Sequence, residues 1–121
     1  MSEDDNSFLL AVEDAVKFHG HLGPFLVIGV RIGLIALRAL GTDVKNLTRV
    51  QAHVKVPLYT PFSCAVDGIQ VTTHCTIGNQ RLKLEGSKAM ISAFFTVGNS
   101  KKAVRISVRP EVLKALGEKI S

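Results

Sequence analysis

The stretch from Leu22 to Leu40 is almost wholly apolar, with Arg31 in its middle and Arg38 near its end. The runs on either side of Arg31 are far shorter than the roughly 20 apolar residues that span a bilayer. The stretch is therefore expected to be a buried or interface-lining helix, and no membrane partner is expected. Pro24 suits the first turn of that helix and Gly41 its C-terminal stop. Gly29 and Gly33 lie four apart on one face. Each weakens an interior helix by ~1 kcal/mol relative to alanine, so close packing by a neighbouring helix or sheet is the expected reason for them.

The other segments are read around this helix. Residues 7–18 read as a first helix, with Ser7 as its cap and Leu9, Leu10, Val12 and Val16 as an apolar stripe. From Arg49 to Val56 the residues alternate: Val50, Ala52, Val54 and Val56 point one way, and Arg49, Gln51, His53 and Lys55 the other. That is a half-buried strand with a partly basic outer face. The segment Cys64–Cys75 is assigned to a helix capped by Ser63 and ended by Gly78, although Asp67-Gly68 also suits a turn. Residues 81–85, 89–97 and 102–109 are strand candidates joined by Glu85-Gly86-Ser87-Lys88 and Gly98-Asn99-Ser100-Lys101, which are turn compositions. They predict an antiparallel meander. Pro110 opens a last helix with Val112, Leu113 and Leu116 on its buried side. The expected fold is α+β: an antiparallel sheet of about four or more strands packed by helices, in a single domain over residues 1–121. With no Trp, one Tyr and six Phe, aliphatic side chains must fill most of the core.

The formal charge of +5 permits attraction to phosphates or acidic partners, but the cations are scattered and form no block. The acidic residues Glu3, Asp4 and Asp5 read as a solvated N-terminus without the layout of a secretory signal. Two cysteines, Cys64 and Cys75, are too few for a disulfide framework. The protein is expected to be cytoplasmic with reduced thiols.

Two segments carry chemistry. In Phe18-His19-Gly20-His21-Leu22-Gly23-Pro24, two histidines precede a helix N-terminus, whose free N–H groups favour an anion. Histidine ligates metals and moves protons near neutral pH, and a zinc or nickel ion here needs further ligands from elsewhere. Histidines so spaced are more often ordinary hydrogen-bonded side chains. In the second segment, Cys64, Asp67, Val71 and Cys75 share one stripe of a helix. A helix N-terminus lowers the pKa of a thiol such as Cys64, and Asp67 opposes that effect. The competing reading makes both cysteines small buried hydrophobes. Eleven residues of continuous helix separate the two Cα atoms by about 16 Å, too far for a disulfide or a shared ion. One cysteine at most then belongs to a site within a protomer, and Cys64 is preferred because Asp67 lies beside it. Cys75 instead pairs with Gly78-Asn79-Gln80. No CxxC pair, HExxH, phosphate-binding glycine loop or GxSxG is present.

Phe18-His19-Gly20-His21, followed by Gly29, Arg31 and Gly33, resembles the N-terminal signature of the FmdE family of formylmethanofuran dehydrogenase proteins. Cys64-Ala65-Val66-Asp67-Gly68-Ile69-Gln70 and Cys75-Thr76-Ile77-Gly78-Asn79 resemble its second signature. The resemblance implies an α+β homodimer with a cavity where the signatures meet, bound to a metal and associated with molybdenum or tungsten enzymes of one-carbon metabolism. It implies His19, His21 and Cys64 as metal ligands, Cys64 and Asp67 as catalytic groups, and Gln70, Cys75 and Asn79 with the two histidines as ligand-binding residues. The family usually has a cysteine two residues after the second histidine, where this chain has Gly23. The chain is also expected to be a minimal member without the C-terminal zinc ribbon of many relatives.

The leading expectation is a metal- or small-anion-binding accessory or enzymatic protein, with no particular reaction assigned. The alternatives are a non-catalytic dimeric module that uses the Gly29–Gly33 face as its interface, or a basic binder of nucleic acid or an acidic partner. The outer strand face motivates the latter, but nucleic acid is not the expected partner because the sequence displays no stacking pair.

Overall fold

In the computed structural model, which describes residues 3–41, 49–98 and 101–120, the central apolar stretch is helix α2 (Pro24–Leu40). Pro24 opens it, and Gly41 closes it in the left-handed conformation at φ 67° and ψ 28°. Phe25, Leu26, Val30, Ile32, Ala36 and Leu40 are buried. No helix among the described residues is long and apolar enough to cross a membrane. Arg31 stays exposed, its guanidinium lying 4.3 Å from the centre of the Phe8 ring.

Phe8 belongs to α1 (Glu3–His19), which starts earlier than expected. Ser7 lies inside this helix and does not cap it. The helix begins at Glu3, and Asp5 lies in its first turn, where negative charge complements the helix dipole. The stripe facing α2 is Phe8, Ala11, Val12, Ala15 and Val16, whereas Leu9 and Leu10 are exposed.

Helix α3 (Cys64–Thr73) packs along α2 at backbone distance. A Cβ at Gly29 would collide with the carbonyl of Ala65, and one at Gly68 with the backbone of Leu26 and Val30. A Cβ at Gly33 would meet the Thr72 hydroxyl, which is already bonded to the Gly68 carbonyl at 2.9 Å. These glycines therefore let two helices of one chain approach closely, and the Gly29–Gly33 face is not free to form a subunit interface. Asp67-Gly68 lies within the helix, and the helix ends earlier than Gly78. His74, at φ 60°, closes it. Ser63 occupies the cap position with helical angles and makes no side-chain cap, because turns running from Tyr59 lead straight into α3.

The sheet has the order β2-β1-β3-β4, formed by β1 (Val50–Val56), β2 (Leu82–Gly86), β3 (Ser92–Val97) and β4 (Ala103–Ser107). It is mixed, not antiparallel throughout. β1 and β2 pair in parallel, with Ala52 opposite Leu82, and the β1–β3 and β3–β4 pairs are antiparallel. The expected meander is thus broken. β1 lies between β2 and β3, because the α3 crossover returns the chain in the direction it left.

The inward side of β1 alternates as expected: Val50, Ala52, Val54 and Val56 are buried with Phe95, Ala93 and Leu82 against α2 and α3. Helix α4 (Pro110–Ile120) adds Leu113 to this core, with Leu116 packed against it, but Val112 is exposed. The fold is a single α+β layer pair. Among the described residues, helices cover one sheet face and leave the other open.

Candidate functional site

α1 ends at His19, and the short link Gly20–Gly23 turns the chain into α2. Gly20 sits at φ 107°, a conformation that favours glycine. This turn folds His21 back so that its ring lies 4.7 Å from that of His19, tilted by 38°. Both rings line a cavity of about 210 Å³, together with Leu22, Gly23, Phe25, Pro61 and Cys64. Phe25 is braced edge-on by Phe62 at 5.0 Å, and Phe62 by Tyr59 at 5.4 Å. The wall is therefore apolar, and the polar atoms come from the two histidines and one thiol.

Behind the pocket, His19 Nδ1 lies 2.6 Å from Asp67 Oδ2. The carboxylate accepts, so Nδ1 carries the proton. Gln70 donates from Nε2 to the other carboxylate oxygen at 3.1 Å, which fixes the rotation of Asp67. The His19 side chain is only 12% exposed, and its Nε2 is buried without a hydrogen-bond partner. A buried imidazole nitrogen normally finds a partner. With Nδ1 held by a carboxylate, Nε2 presents a lone pair to a metal ion or an acidic proton. Histidine ligands of metals are commonly oriented by a carboxylate in this way.

Cys64 is the first residue of α3. Burial pushes its thiol pKa up from the ordinary value near 9.0, and the charge of Asp67 pushes it further, while its own backbone N–H pulls it down. The expected acidifying effect of the helix terminus is therefore outweighed. At neutral pH the group is a thiol, and metal binding would have to displace its proton.

The structure thus brings His19, His21 and Cys64 to one pocket, with Asp67 and Gln70 in support. It puts Cys75 and Asn79 elsewhere. Cys75 is fully buried in the core, where its Sγ donates to the Val50 carbonyl at 3.2 Å. Asn79 spends its side chain on backbone: Oδ1 accepts from the N–H groups of Thr76 and Arg81, both at 3.0 Å, and Nδ2 donates to the His74 carbonyl at 2.6 Å. Both cysteines are free. Among the described residues no three His, Cys, Asp or Glu side chains converge enough to hold an ion by themselves.

Sequence reasoning missed the pocket walls Leu22, Phe25 and Pro61, which carry no chemical signal of their own. It also missed the role of Gly68. A glycine in the middle of an otherwise helical segment was the available sign of close backbone approach.

A family model described as "FmdE, Molybdenum formylmethanofuran dehydrogenase operon" matches residues 18–121, which include every residue of this site. The chain belongs to the FmdE family. The two segments that resemble the family's signatures meet at the His19–Asp67 contact. The FmdE chain is also similar to a "Probable S-adenosyl-L-methionine-binding protein" of Archaeoglobus fulgidus, at 38% identity over 68 residues. That match covers 56% of this chain and 18% of the relative, so the chain spans less than a fifth of the relative's length.

Proposed function

We propose that this FmdE protein binds a transition-metal ion of the zinc or nickel class, or a small anion, in the His19–His21–Cys64 pocket. We further propose that it serves molybdenum- or tungsten-dependent one-carbon metabolism in the cytoplasm, as an accessory or enzymatic protein. The observation that carries this reading is the His19 Nε2 atom, buried and unpartnered while Nδ1 is committed to Asp67. His19 and His21 would supply imidazole nitrogens to the ion, and Cys64 a thiolate after losing its proton. Asp67 orients the His19 ring through Nδ1. A bound ion would act as a Lewis acid on a ligand in the remaining positions. Protonated at Nε2, His19 would instead donate to an anion such as formate. Membership of a family described by a molybdenum formylmethanofuran dehydrogenase operon supports the metabolic setting.

A homodimer belongs to the same proposal. Leu22 is 64% exposed at the pocket, and Phe18, next to His19 in the chain, and Tyr59, packed on Phe62, are also exposed. A second subunit would bury such large apolar side chains.

The test is elemental analysis of protein purified without chelator, beside the H19A/H21A double variant, with zinc, nickel and formate titrations followed by histidine NMR signals. The expected result is bound metal, or a formate-dependent shift of the His19 signals, absent from the variant. Equal negligible metal in both proteins, with His19 indifferent to all three probes, would reject the proposal.

A further inference from the structure

The open face of the sheet carries a row of side chains that the register aligns across all four strands. Lys83 on β2 is opposite His53 on β1, His53 is opposite Phe94 on β3, and Phe94 is opposite Arg105 on β4. At about 4.8 Å between strands, the row is about 14 Å long. The Arg105 guanidinium lies 5.0 Å from the centre of the Phe94 ring. His53 is joined through Nε2 to Glu85 Oε1 on β2 at 3.2 Å, and its backbone is opposite that of Phe94 on β3. Gln51 and Thr96 form the adjacent pair and supply hydrogen-bonding groups, and a shallow hollow of about 180 Å³ opens between them and Lys83, His53 and Phe94. Lys55, Lys83 and Arg105 project on this face, and Glu85 is the acidic side chain among them.

We propose that this open sheet face binds single-stranded nucleic acid, with a base stacked on the His53–Phe94 pair and the backbone phosphates meeting Lys83 and Arg105. Ring side chains on the two central strands of a four-stranded sheet are an arrangement on which unpaired bases stack, and guanidinium planes also serve as platforms. A duplex would keep its base faces covered, and no described element projects from this face to enter a groove. An acidic peptide would satisfy the cations but leave the ring pair unused. A second copy would set Lys83 and Arg105 against like charges. The pair is invisible in the sequence because His53 and Phe94 meet only through the β1–β3 register. This surface is opposite the helices and independent of the His19 pocket.

The test is fluorescence anisotropy with labelled mixed-sequence RNA and DNA strands of about 12 nucleotides. The matching duplex and poly-glutamate serve as competitors, from about 50 mM to about 200 mM salt. Single strands are expected to bind, more weakly as salt rises and more tightly than either competitor. F94L keeps the apolar bulk but removes the ring and should weaken binding about tenfold. K83E/R105E should abolish binding with an unchanged melting temperature, and H19A/H21A should bind like the parent. Any of three results overturns the proposal: no binding at low salt, duplex or poly-glutamate bound as tightly as single strands, or F94L equal to the parent. Sedimentation showing a dimer that K83E/R105E dissociates would also overturn it, by assigning the face to a second copy.

Discussion

His19 Nδ1 and Asp67 Oδ2 stand 2.6 Å apart and join the last residue of α1 to the first turn of α3. The bond fixes both the ring orientation of His19 and the nitrogen that stays available. Replacing Asp67 with Asn keeps an acceptor of similar shape and removes the charge. On the proposed function, D67N should lower zinc affinity about 10- to 100-fold, the range for losing a partner behind a ligand histidine. Q70A, which only frees the rotation of Asp67, should have a smaller effect in the same direction. Calorimetric titration with zinc measures both, and D67N binding as tightly as the parent would sever Asp67 from the site.

The glycine contacts between α2 and α3 predict a ranked loss of stability. An added methyl at Gly29 or Gly68 meets backbone, which yields only if the helices separate. G29A and G68A should each destabilise by about 1–3 kcal/mol or more, as overpacked cores do. That lowers the melting temperature by several degrees for a chain of this size. G33A meets the Thr72 side chain, so T72A should recover part of its loss, a non-additivity expected of touching residues. G23A, which meets only the His21 ring at 3.8 Å, should melt like the parent.

The bounds of α2 were legible because proline and glycine restrict the backbone at Pro24 and Gly41 whatever the surroundings. β1 was legible because burial on one face alone imposes alternation. The β1–β2 pairing was misread because Glu85-Gly86-Ser87-Lys88 has the composition of a hairpin turn. A helix between two strands was the stronger signal, since it carries the chain back for parallel pairing. Within the site, residue types pointed to His19, Cys64 and Asp67. Spacing could not show that His19 and Asp67, 48 residues apart, would bond, nor that Cys75 would face the core. Those outcomes depend on α3 lying along α2 through Gly29, Gly33 and Gly68.

The two thiols differ in surroundings and should differ in reactivity. Burial pushes the Cys75 pKa up from about 9.0, against the smaller opposing effects of the Thr73 hydrogen bond and the Arg81 charge. Raised thiol pKa values stabilise the fold fully below the unfolded value near 9.0. As pH rises further the unfolded chain ionises first, so stability falls until the folded thiols ionise too. Chemical denaturation from pH 8 to 10.5 should show this decline, and C75A should flatten part of it. A thiol reagent at pH 8 should modify Cys64 slowly and Cys75 only on unfolding. D67N should speed the Cys64 reaction, because it removes a charge that raises its pKa. An unchanged rate would show that Asp67 does not act on the thiol.

Gly23 gives the most direct test of whether the pocket is a metal site. Its backbone is extended, at φ −153° and ψ 161°, a conformation open to residues other than glycine, cysteine included. An added Cβ meets His21 Nε2 at 3.8 Å and its Cδ2 at 3.9 Å, in ordinary van der Waals contact. A cysteine sulfur one bond further out would lie alongside the imidazole in the pocket wall. Tetrahedral zinc, with Zn–S near 2.3 Å and Zn–N near 2.0 Å, holds such a pair about 3.5 Å apart. G23C therefore adds a soft donor beside the His21 ring, and zinc affinity should rise at least about tenfold. Cobalt substituted for zinc should gain a thiolate-to-metal charge-transfer band, absent from G23A. If G23C takes up cobalt with the parent's spectrum and affinity, His21 and position 23 do not face a common ion, and the pocket is better read as an anion site built on His19 alone.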